Sequence, residues 1–244
     1  MAAQNPNARQ GAQLSSGSDR ETVPSDRWQR LWRGLKGLRE ALRSGMRIIS
    51  GTAGGVHLDV PKSGTRPTQD KVRQAVFSML GDLVVGARVL DLFAGSGALG
   101  LECLSRGAVS ALFVESDRGA AQVIHRNLEK SRLAGGSVRQ ADALKVLVQL
   151  QESGARYDLV LADPPYAHRE GDEQHGAKLL RSAALLAILP PEGSLVLEVR
   201  GGGREVDSAL TELAASWNLE RDRAYGDTRI LWLRRRSESA PPGA

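Results

Sequence analysis

The stretch RVLDLFAGSGALGLECLSRG, residues 88–107, indicates the fold more clearly than any other part of the chain. It opens with a mostly apolar run that is typical of a strand buried on both faces. Gly95 and Gly97 follow and permit a tight turn, which we call the glycine turn (residues 93–97). Gly100 completes a Gly-x-Gly-x-x-Gly spacing between the predicted strand and the next helix. The stretch therefore predicts a strand, a turn and a helix.

Strand and helix patterns alternate from this stretch towards the C-terminus. Strands are predicted at 88–93, 111–116, 137–142, 157–163 and 193–199, with helices between them that include one helix over 177–189. Two final strands, 219–225 and 228–235, are separated only by Gly226 and Asp227 and should pair antiparallel. This pattern predicts an α/β domain with a doubly wound, mostly parallel sheet and an antiparallel closing strand. Such sheets bind ligands beyond the carboxyl ends of the strands, where the strand order reverses.

The remaining segments are predicted from their composition and periodicity. Residues 1–26 and 237–244 are expected to be disordered tails. Residues 27–45 predict a basic amphipathic helix, for which RNA, an acidic protein, a membrane surface and the domain itself all stay open as contacts. An alternative is that the chain starts at Met46. Residues 46–82 predict a small hairpin and helix that cover the ligands of the main domain, residues 83–236.

Composition restricts the class of protein. The formal net charge of +5 and the pI near 9.7 favour a polyanionic partner. A single cysteine, Cys103, excludes an intrachain disulfide and a multi-cysteine metal site, and it fits a reducing compartment. No apolar run approaches the ~20 residues of a membrane span, and the N-terminus lacks the apolar segment of a signal peptide. We therefore expect a cytoplasmic protein without a membrane partner or a metal.

The glycine turn by itself fits more than one class of ligand. With Gly100 and with Glu115 at the end of the next strand, it matches a dinucleotide fingerprint in which the acidic residue binds a ribose. Asp91 opposes that ligand, because a carboxylate beside a pyrophosphate in a half-buried cleft is strongly unfavourable. The same carboxylate is favourable beside a cation. S-adenosylmethionine carries a sulfonium and an ammonium group and no phosphate, so the sequence predicts it as the cofactor.

Each predicted cofactor contact follows from a position at a strand end. Asp91 is expected near the charged end of S-adenosylmethionine, and Glu115 on its ribose hydroxyls. Asp142 is expected to reach the adenine amino group, with the backbone of Ala143 alongside. The other predicted cofactor residues flank these positions: Phe93, Ala94, Gly95, Gly97 and Ser116. A cap on the following turn is the structural alternative for Asp91.

A second motif, LVLADPPYAH at residues 159–168, supplies candidate catalytic residues. Asp163 follows a buried strand that a doubly wound sheet places beside the strand of Asp91. The exocyclic amine of guanine or adenine is a poor nucleophile because its lone pair is delocalised. The Asp163 carboxylate and the Pro164 carbonyl would accept its N–H groups and orient the lone pair, while Tyr166 would stack on the base. A strand that simply ends in a proline turn is the structural alternative.

Four blocks of sequence resemble one family: RIISGTAGG with RPTQDKVRQAVFSML, VLDLFAGSGALGLECLSRGA, FVESDRGAAQVIHRNLEK and LADPPY. They closely resemble the RsmD family of bacterial methyltransferases over about residues 46–235. The resemblance implies a Rossmann-like class I S-adenosylmethionine-dependent methyltransferase. It implies methylation of N2 of a guanine in 16S ribosomal RNA, guanine 966, on the assembled or assembling small ribosomal subunit. It also implies that Arg66 and Thr68 close over the methionine end of the cofactor. Gln69 departs from the family pattern, in which a second threonine is common.

Remaining charges fit an RNA partner. Arg47, Lys71 and Arg73 surround the predicted hairpin and helix and are expected to contact phosphates. Three alternatives stay open. The same site could act on adenine in DNA or on glutamine in protein, the protein could be a nucleotide-dependent oxidoreductase, or it could be a non-catalytic RNA-binding assembly factor. We expect a monomer.

Overall fold

The computed structural model describes residues 45–61, 70–165, 175–200, 204–212 and 216–237. Most of the predicted N-terminal tail and basic helix, and most of the C-terminal tail, lie outside these residues. So do three predicted site residues: Arg66, Thr68 and Tyr166.

The domain is built on a seven-stranded sheet with the order β3-β2-β1-β4-β5-β7-β6. The strands are β1 (Arg88–Leu92), β2 (Ser110–Glu115), β3 (Gly136–Gln140), β4 (Leu159–Ala162), β5 (Ser194–Arg200), β6 (Trp217–Tyr225) and β7 (Thr228–Arg235). The first five strands pair in parallel, and β7 is antiparallel to both β5 and β6. The strand order reverses between β1 and β4. This arrangement confirms the predicted doubly wound sheet and its antiparallel closing strand.

Helices cover both faces of the sheet. They are α1 (Asp70–Leu80), α2 (Ala98–Ser105), α3 (Arg118–Ser131), α4 (Ala143–Glu152), α5 (His175–Leu180), α6 (Ala183–Ile188) and α7 (Arg204–Glu212). A short 3-10 helix, Gly81–Val84, joins α1 to the sheet. None of the helices in the described ranges is long and apolar enough to cross a membrane.

The single helix predicted over 177–189 is wrong. The structure has two short helices there, because Ser182 adopts an extended conformation and starts α6 as its N-cap. Its hydroxyl accepts a hydrogen bond from the N–H of Leu185 at 3.2 Å. Serine favours such a cap over a position inside a helix, because its side chain competes for backbone groups. The apolar periodicity continued through this break and concealed it.

The predicted hairpin at 46–61 is reduced to a short ladder in the N-terminal segment (residues 45–61). An isolated antiparallel bridge joins Arg47 to His57. The N–H of Ile48 donates to the carbonyl of Val56 at 3.0 Å, and the N–H of Leu58 donates to that of Met46 at the same distance. The two arms are thus paired, but too briefly to count as regular strands.

Two apolar cores lie on opposite faces of the sheet. Side chains alternate along β1, so Val89 belongs to one core and Leu90 to the other. The first core joins the N-terminal segment, α1, α2 and α3 to the sheet, and the second joins α4, α5 and α6 to it. Cys103 is fully buried in the first core, as expected for a small core residue. Full burial of each leucine or valine contributes about 1.5–3 kcal/mol, so the cores hold the strand ends firmly in place.

Candidate active site

The ends of three neighbouring strands meet at the carboxyl edge of the sheet, the edge formed by the carboxyl ends of the parallel strands. In the sheet register, Leu92 of β1 lies beside Val114 of β2 and beside Ala162 of β4. The next residue along each strand is therefore Phe93, Glu115 or Asp163. Phe93 and Glu115 are predicted cofactor residues, and Asp163 is the predicted catalytic carboxylate. The register thus brings all three to the same level, at the point where the strand order reverses.

The glycine turn has the unusual backbone that its sequence predicted. Phe93, Gly95 and Gly97 all have positive φ angles, of 60°, 56° and 78°. For phenylalanine such a conformation costs about 1–2 kcal/mol, which neighbouring contacts must offset. The N–H of Ala94 donates to the carbonyl of Val114, and that of Gly97 to the carbonyl of Ala94 at 2.7 Å. The turn is thus tied to β2 and closed on itself.

Asp91 is nearly fully buried and caps the helix that follows the turn. Its Oδ2 accepts a hydrogen bond from the N–H of Gly100 at 2.9 Å. Gly100 is required here, because a Cβ atom at this position would lie 2.4 Å from the Phe113 ring. Burial raises the pKa of Asp91 to about 8, against the lowering effect of the Gly100 N–H and with added repulsion from Asp163 and Glu115.

The charge state of Asp91 corrects one premise of the sequence analysis. Asp91 was expected to present an ionised carboxylate beside a cation, with a turn cap as the alternative. In the structure the cap is made, and at neutral pH the group is mostly protonated because its pKa is about 8. A cationic ligand beside it would have to bring about its ionisation.

Glu115 joins the glycine turn, which follows β1, to the loop that follows β2. Its Oε2 accepts a hydrogen bond from the N–H of Gly95, and its Oε1 accepts one from the N–H of Asp117, both at 2.8 Å. The side chain is half-buried, and the adjacent Ser116 is exposed. A carboxylate has about four lone-pair positions, so acceptor capacity remains for hydroxyl groups of a ligand.

Asp142 starts α4 as its N-cap. Its Oδ1 accepts a hydrogen bond from the N–H of Lys145 at 2.9 Å. The preceding residue, Ala141, donates its N–H to the carbonyl of Glu115 at 3.0 Å, so this loop is joined to the end of β2. Asp142 is exposed and Ala143 is buried. The structure therefore places the predicted adenine-binding pair next to the predicted ribose-binding residue.

The predicted catalytic motif begins at the end of β4. Asp163 is half-buried, Pro164 is buried and Pro165 is exposed. Proline fixes φ of Pro164, and the following Pro165 restricts its ψ angle, so the directions open to the Pro164 carbonyl are few. Tyr166 lies outside the described residues, so its predicted stacking role stays a prediction.

Among the three predicted phosphate contacts, Arg73 is wrong. Its side chain is fully buried, and its Nη2 donates to the carbonyl of Arg47 at 2.6 Å and to Asp70 at 2.7 Å. In the described part of the chain, its Nε and Nη1 groups have no hydrogen-bond partner. Arg73 therefore joins α1 to the N-terminal segment and does not reach a phosphate. Lys71 and the side chain of Arg47 are exposed, as the prediction requires.

Two buried polar residues near the site were missed by the sequence analysis. Glu102 accepts hydrogen bonds from the N–H groups of Ile49 and Ser50 and pairs with Arg106. Asn127 contacts both the N-terminal segment and the glycine turn. Each residue lies on the apolar face of its helix, where a polar residue is unusual. That placement was the signal available in the sequence.

Within the described residues, no three His, Cys, Asp or Glu side chains come together in a way that could hold a metal ion. The ring of His175 packs against that of Phe93 with the ring centroids 5.4 Å apart. His175 therefore helps to fix the start of α5 beside the glycine turn.

Known proteins resemble this chain in sequence and in fold. The model of conserved hypothetical protein 95 matches residues 46–234. The ribosomal RNA small subunit methyltransferase D of Escherichia coli K12 is 36% identical over 194 residues, which are 79% of this chain and 91% of that protein. The solved structure of yhhF from Escherichia coli is 33% identical and superposes with a TM-score of 0.64, over 79% of this chain and 99% of that one.

A more distant structure shows the same fold. It is the Thermus thermophilus 16S rRNA N2 G1207 methyltransferase RsmC in complex with AdoMet and guanosine, with a TM-score of 0.59 and 23% identity, over 73% of this chain and 46% of that one. This similarity confirms the predicted Rossmann-like methyltransferase fold. On its fold and on the extent of the sequence match, the chain belongs to the conserved hypothetical protein 95 family, the family of ribosomal RNA small subunit methyltransferase D.

Proposed function

We propose that the protein transfers a methyl group from S-adenosylmethionine to the N2 amino group of a guanine in 16S ribosomal RNA. The observation that carries the proposal is the convergence of the glycine turn, Glu115 and Asp163 at one level of the carboxyl edge. The ribosomal RNA small subunit methyltransferase D of Escherichia coli, which is 36% identical to this chain over 194 residues, supports ribosomal RNA as the substrate class.

The residues present fit the proposed cofactor. The Cα of Gly95 faces open space, since a Cβ atom there would meet nothing closer than 4.0 Å, so a ligand can lie against the turn. The half-buried carboxylate of Glu115 has acceptor capacity for a ribose diol, and Asp142 with Ala143 borders the same space. When bound, S-adenosylmethionine would supply an electrophilic methyl group on a positively charged sulfur.

Asp163 and Pro164 would then prepare the nucleophile. The Asp163 carboxylate accepts one N–H of the guanine amine, and the carbonyl of Pro164 accepts the other. These two contacts direct the nitrogen lone pair towards the glycine turn and favour a pyramidal nitrogen. As the methyl group moves from sulfur to N2, the Asp163 carboxylate would take up the proton that N2 loses, and the cofactor would leave as S-adenosylhomocysteine. Most of the rate acceleration would come from this orientation and proximity. Exposed cations at the N-terminal segment and α1, Arg47 and Lys71, would hold the RNA backbone.

Guanine 966 and the assembled or assembling small subunit complete the proposal. In this proposal the protein acts on its RNA substrate in the cytoplasm and as a monomer. The alternative substrates, adenine in DNA and glutamine in protein, would use the same two acceptors and are outcomes of the test.

The deciding experiment incubates the protein and labelled S-adenosylmethionine with 30S subunits, with naked 16S RNA, with DNA or with protein, and then maps the label. We expect label on N2 of one guanine, and more of it on 30S subunits than on naked RNA. Asp163→Ala should abolish transfer and leave the cofactor dissociation constant within a few-fold. Asp82→Ala, which removes an exposed carboxylate before β1, is the matched control and should retain activity. RNA binding without transfer by the wild type would favour the assembly-factor alternative instead.

A further inference from the structure

Asn127 is a fully buried amide in the middle of α3 whose hydrogen bonds reach two other parts of the chain. Its Oδ1 accepts the N–H of Asp59 at 2.8 Å, and its Nδ2 donates to the carbonyl of Asp59 at 3.0 Å. A further bond runs from Nδ2 to the carbonyl of Ser96 at 2.9 Å. The amide therefore uses both of its donors and one acceptor position on two backbone segments.

The bond to Ser96 acts on the glycine turn itself. The carbonyl of Ser96 and the N–H of Gly97 belong to one planar peptide group, so a contact that holds the carbonyl also holds the N–H. That N–H donates to the carbonyl of Ala94 and closes the turn. The first half of the turn is held separately, by the bond from Gly95 to Glu115. Asn127 thus fixes the half of the turn that Glu115 does not reach.

The hydrogen bonds to Asp59 attach Asn127 to the N-terminal segment and so hold its side chain in place against Ser96. The carboxylate of Asp59 also pairs with Lys130 at 2.7 Å and with Arg126 at 3.7 Å, both on α3. At the other end of the N-terminal segment, the hydroxyl of Ser96 lies 3.2 Å from the sulfur of Met46. The N-terminal segment and α3 therefore form one support behind the turn, and Asn127 is its central link.

We infer that Asn127 is a positioning residue, which holds the glycine turn in the shape that binds the methionine end of the cofactor. The inference rests on the proposed function, in which S-adenosylmethionine lies against this turn. Asn127 does not touch the reacting atoms. Its effect should appear in the affinity for cofactor and not in the rate of transfer once cofactor is saturating.

Few residue types could make the three hydrogen bonds that the side chain of Asn127 makes. Aspartate has the same shape but lacks both donors, and its oxygens would face the carbonyls of Asp59 and Ser96. Alanine leaves three backbone groups without their partner. Asparagine is the residue of this size that offers an acceptor and two donors from one planar group.

The test measures the dissociation constant for S-adenosylmethionine by calorimetry, together with kcat and the KM for 30S subunits. For Asn127→Ala we expect at least a tenfold rise in the cofactor dissociation constant, with kcat at saturating cofactor and the KM for 30S subunits within threefold of wild type. If the alanine variant does not fold, Asn127→Ser, which is neutral and keeps one hydroxyl donor, should show the same pattern with a smaller rise in the cofactor dissociation constant. Asn218→Ala, the same substitution on β6, is the matched control and should change nothing.

A destabilised control separates positioning from general loss of stability. Glu102→Gln weakens the attachment of the N-terminal segment to α2, and among the described residues the hydrogen bonds of Glu102 go to Ile49, Ser50 and Arg106 and not to the glycine turn. It should lower the melting temperature and leave the cofactor dissociation constant within twofold. The inference is overturned if Glu102→Gln weakens cofactor binding as much as the Asn127 variants do, or if those variants bind cofactor as the wild type does. Failure of the wild type to bind S-adenosylmethionine would instead overturn the proposed function.

Discussion

Glu115, the last residue of β2, accepts a hydrogen bond from the N–H of Gly95 at 2.8 Å and so connects the second strand to the turn after the first. These residues are twenty positions apart in the sequence and adjacent at the carboxyl edge. The carboxylate therefore has a structural role in the turn in addition to its proposed role on the cofactor ribose. The two roles can be separated by substitution.

Glu115→Ala should weaken the binding of S-adenosylmethionine by about 10- to 100-fold, because hydrogen bonds to a charged group contribute about 1.5–3 kcal/mol. Glu115→Gln keeps one acceptor for Gly95 and should lose less. Isothermal calorimetry measures both constants. Glu129→Ala, an exposed carboxylate on α3, is the control. A dissociation constant for Glu115→Ala equal to that of wild type would refute the ribose assignment.

Asp91 should make the protein less stable as the pH rises from about 4 to about 8. In this range the unfolded chain loses the proton of Asp91 near its ordinary pKa of 3.8, while the folded protein keeps it until about 8. The unfolded state therefore binds fewer protons, and the free energy of unfolding falls by up to about 1.4 kcal/mol per pH unit.

Asp91→Asn tests this pH dependence, since asparagine is neutral and its oxygen can still accept the Gly100 N–H. Its free energy of unfolding minus that of wild type, from urea titrations, should increase with pH and level off above about 8. A difference that does not vary with pH would contradict the burial effect. If Asp91 also faces the cationic end of the cofactor, binding should release a proton below that pH, which calorimetry in buffers of different ionisation enthalpy detects.

Lys71→Ala should weaken RNA binding, whereas Arg73→Ala should lower the stability of the fold. Lys71 is exposed, so its removal should reduce the slope of log binding constant against log salt by about 0.7–0.9. Arg73 is buried, so its removal should leave that slope unchanged and lower the free energy of unfolding by about 2–3 kcal/mol. Filter binding over a salt series and urea denaturation measure the two effects. A reduced slope for Arg73→Ala would show that Arg73 reaches the RNA after all.

Gly51→Ala should destabilise the protein far more than Gly55→Ala. Both glycines lie in the same loop at positive φ angles, of 85° and 88°. A Cβ atom on Gly51 would lie 1.9 Å from the carbonyl oxygen of Ser105, whereas one on Gly55 would meet nothing within 4 Å. Gly55→Ala should therefore cost only the conformational strain, about 1–2 kcal/mol. Gly51→Ala must also move the loop away from α2, and thermal unfolding should show a loss at least twice as large. Equal losses would mean that the loop moves freely from α2.

Local pattern was sufficient for much of the fold. The alternation of strands and helices and the short Gly226–Asp227 turn correctly predicted a mostly parallel, doubly wound sheet with an antiparallel closing strand, because side-chain periodicity reports which faces are buried. The same periodicity failed at Ser182, where a cap interrupts an apolar pattern that continues on both sides. At the predicted hairpin, the two arms do pair through the Arg47–His57 bridge and its neighbouring hydrogen bonds, but the pairing is too short for regular strands.

Arg73 and Asn127 show why the site was predicted less completely. Arg73 looked like a surface cation in a polar helix, and its burial depends on the carbonyl of Arg47, twenty-six positions away. The role of Asn127 depends on Asp59, sixty-eight positions away, and on Ser96. No periodic pattern reports such contacts, because each partner is brought there by the packing of another element.

The sequence by itself determined the order of the elements, the glycine turn and the position of the DPPY motif at a strand end, since these depend on residues close together in the chain. Only the tertiary structure decided that Asp91 is buried and mostly protonated, that Arg73 is internal and that Asn127 supports the turn. The physical reason is that burial and hydrogen-bond partners depend on distant segments, and these conditions decide the charge and the function of a polar side chain.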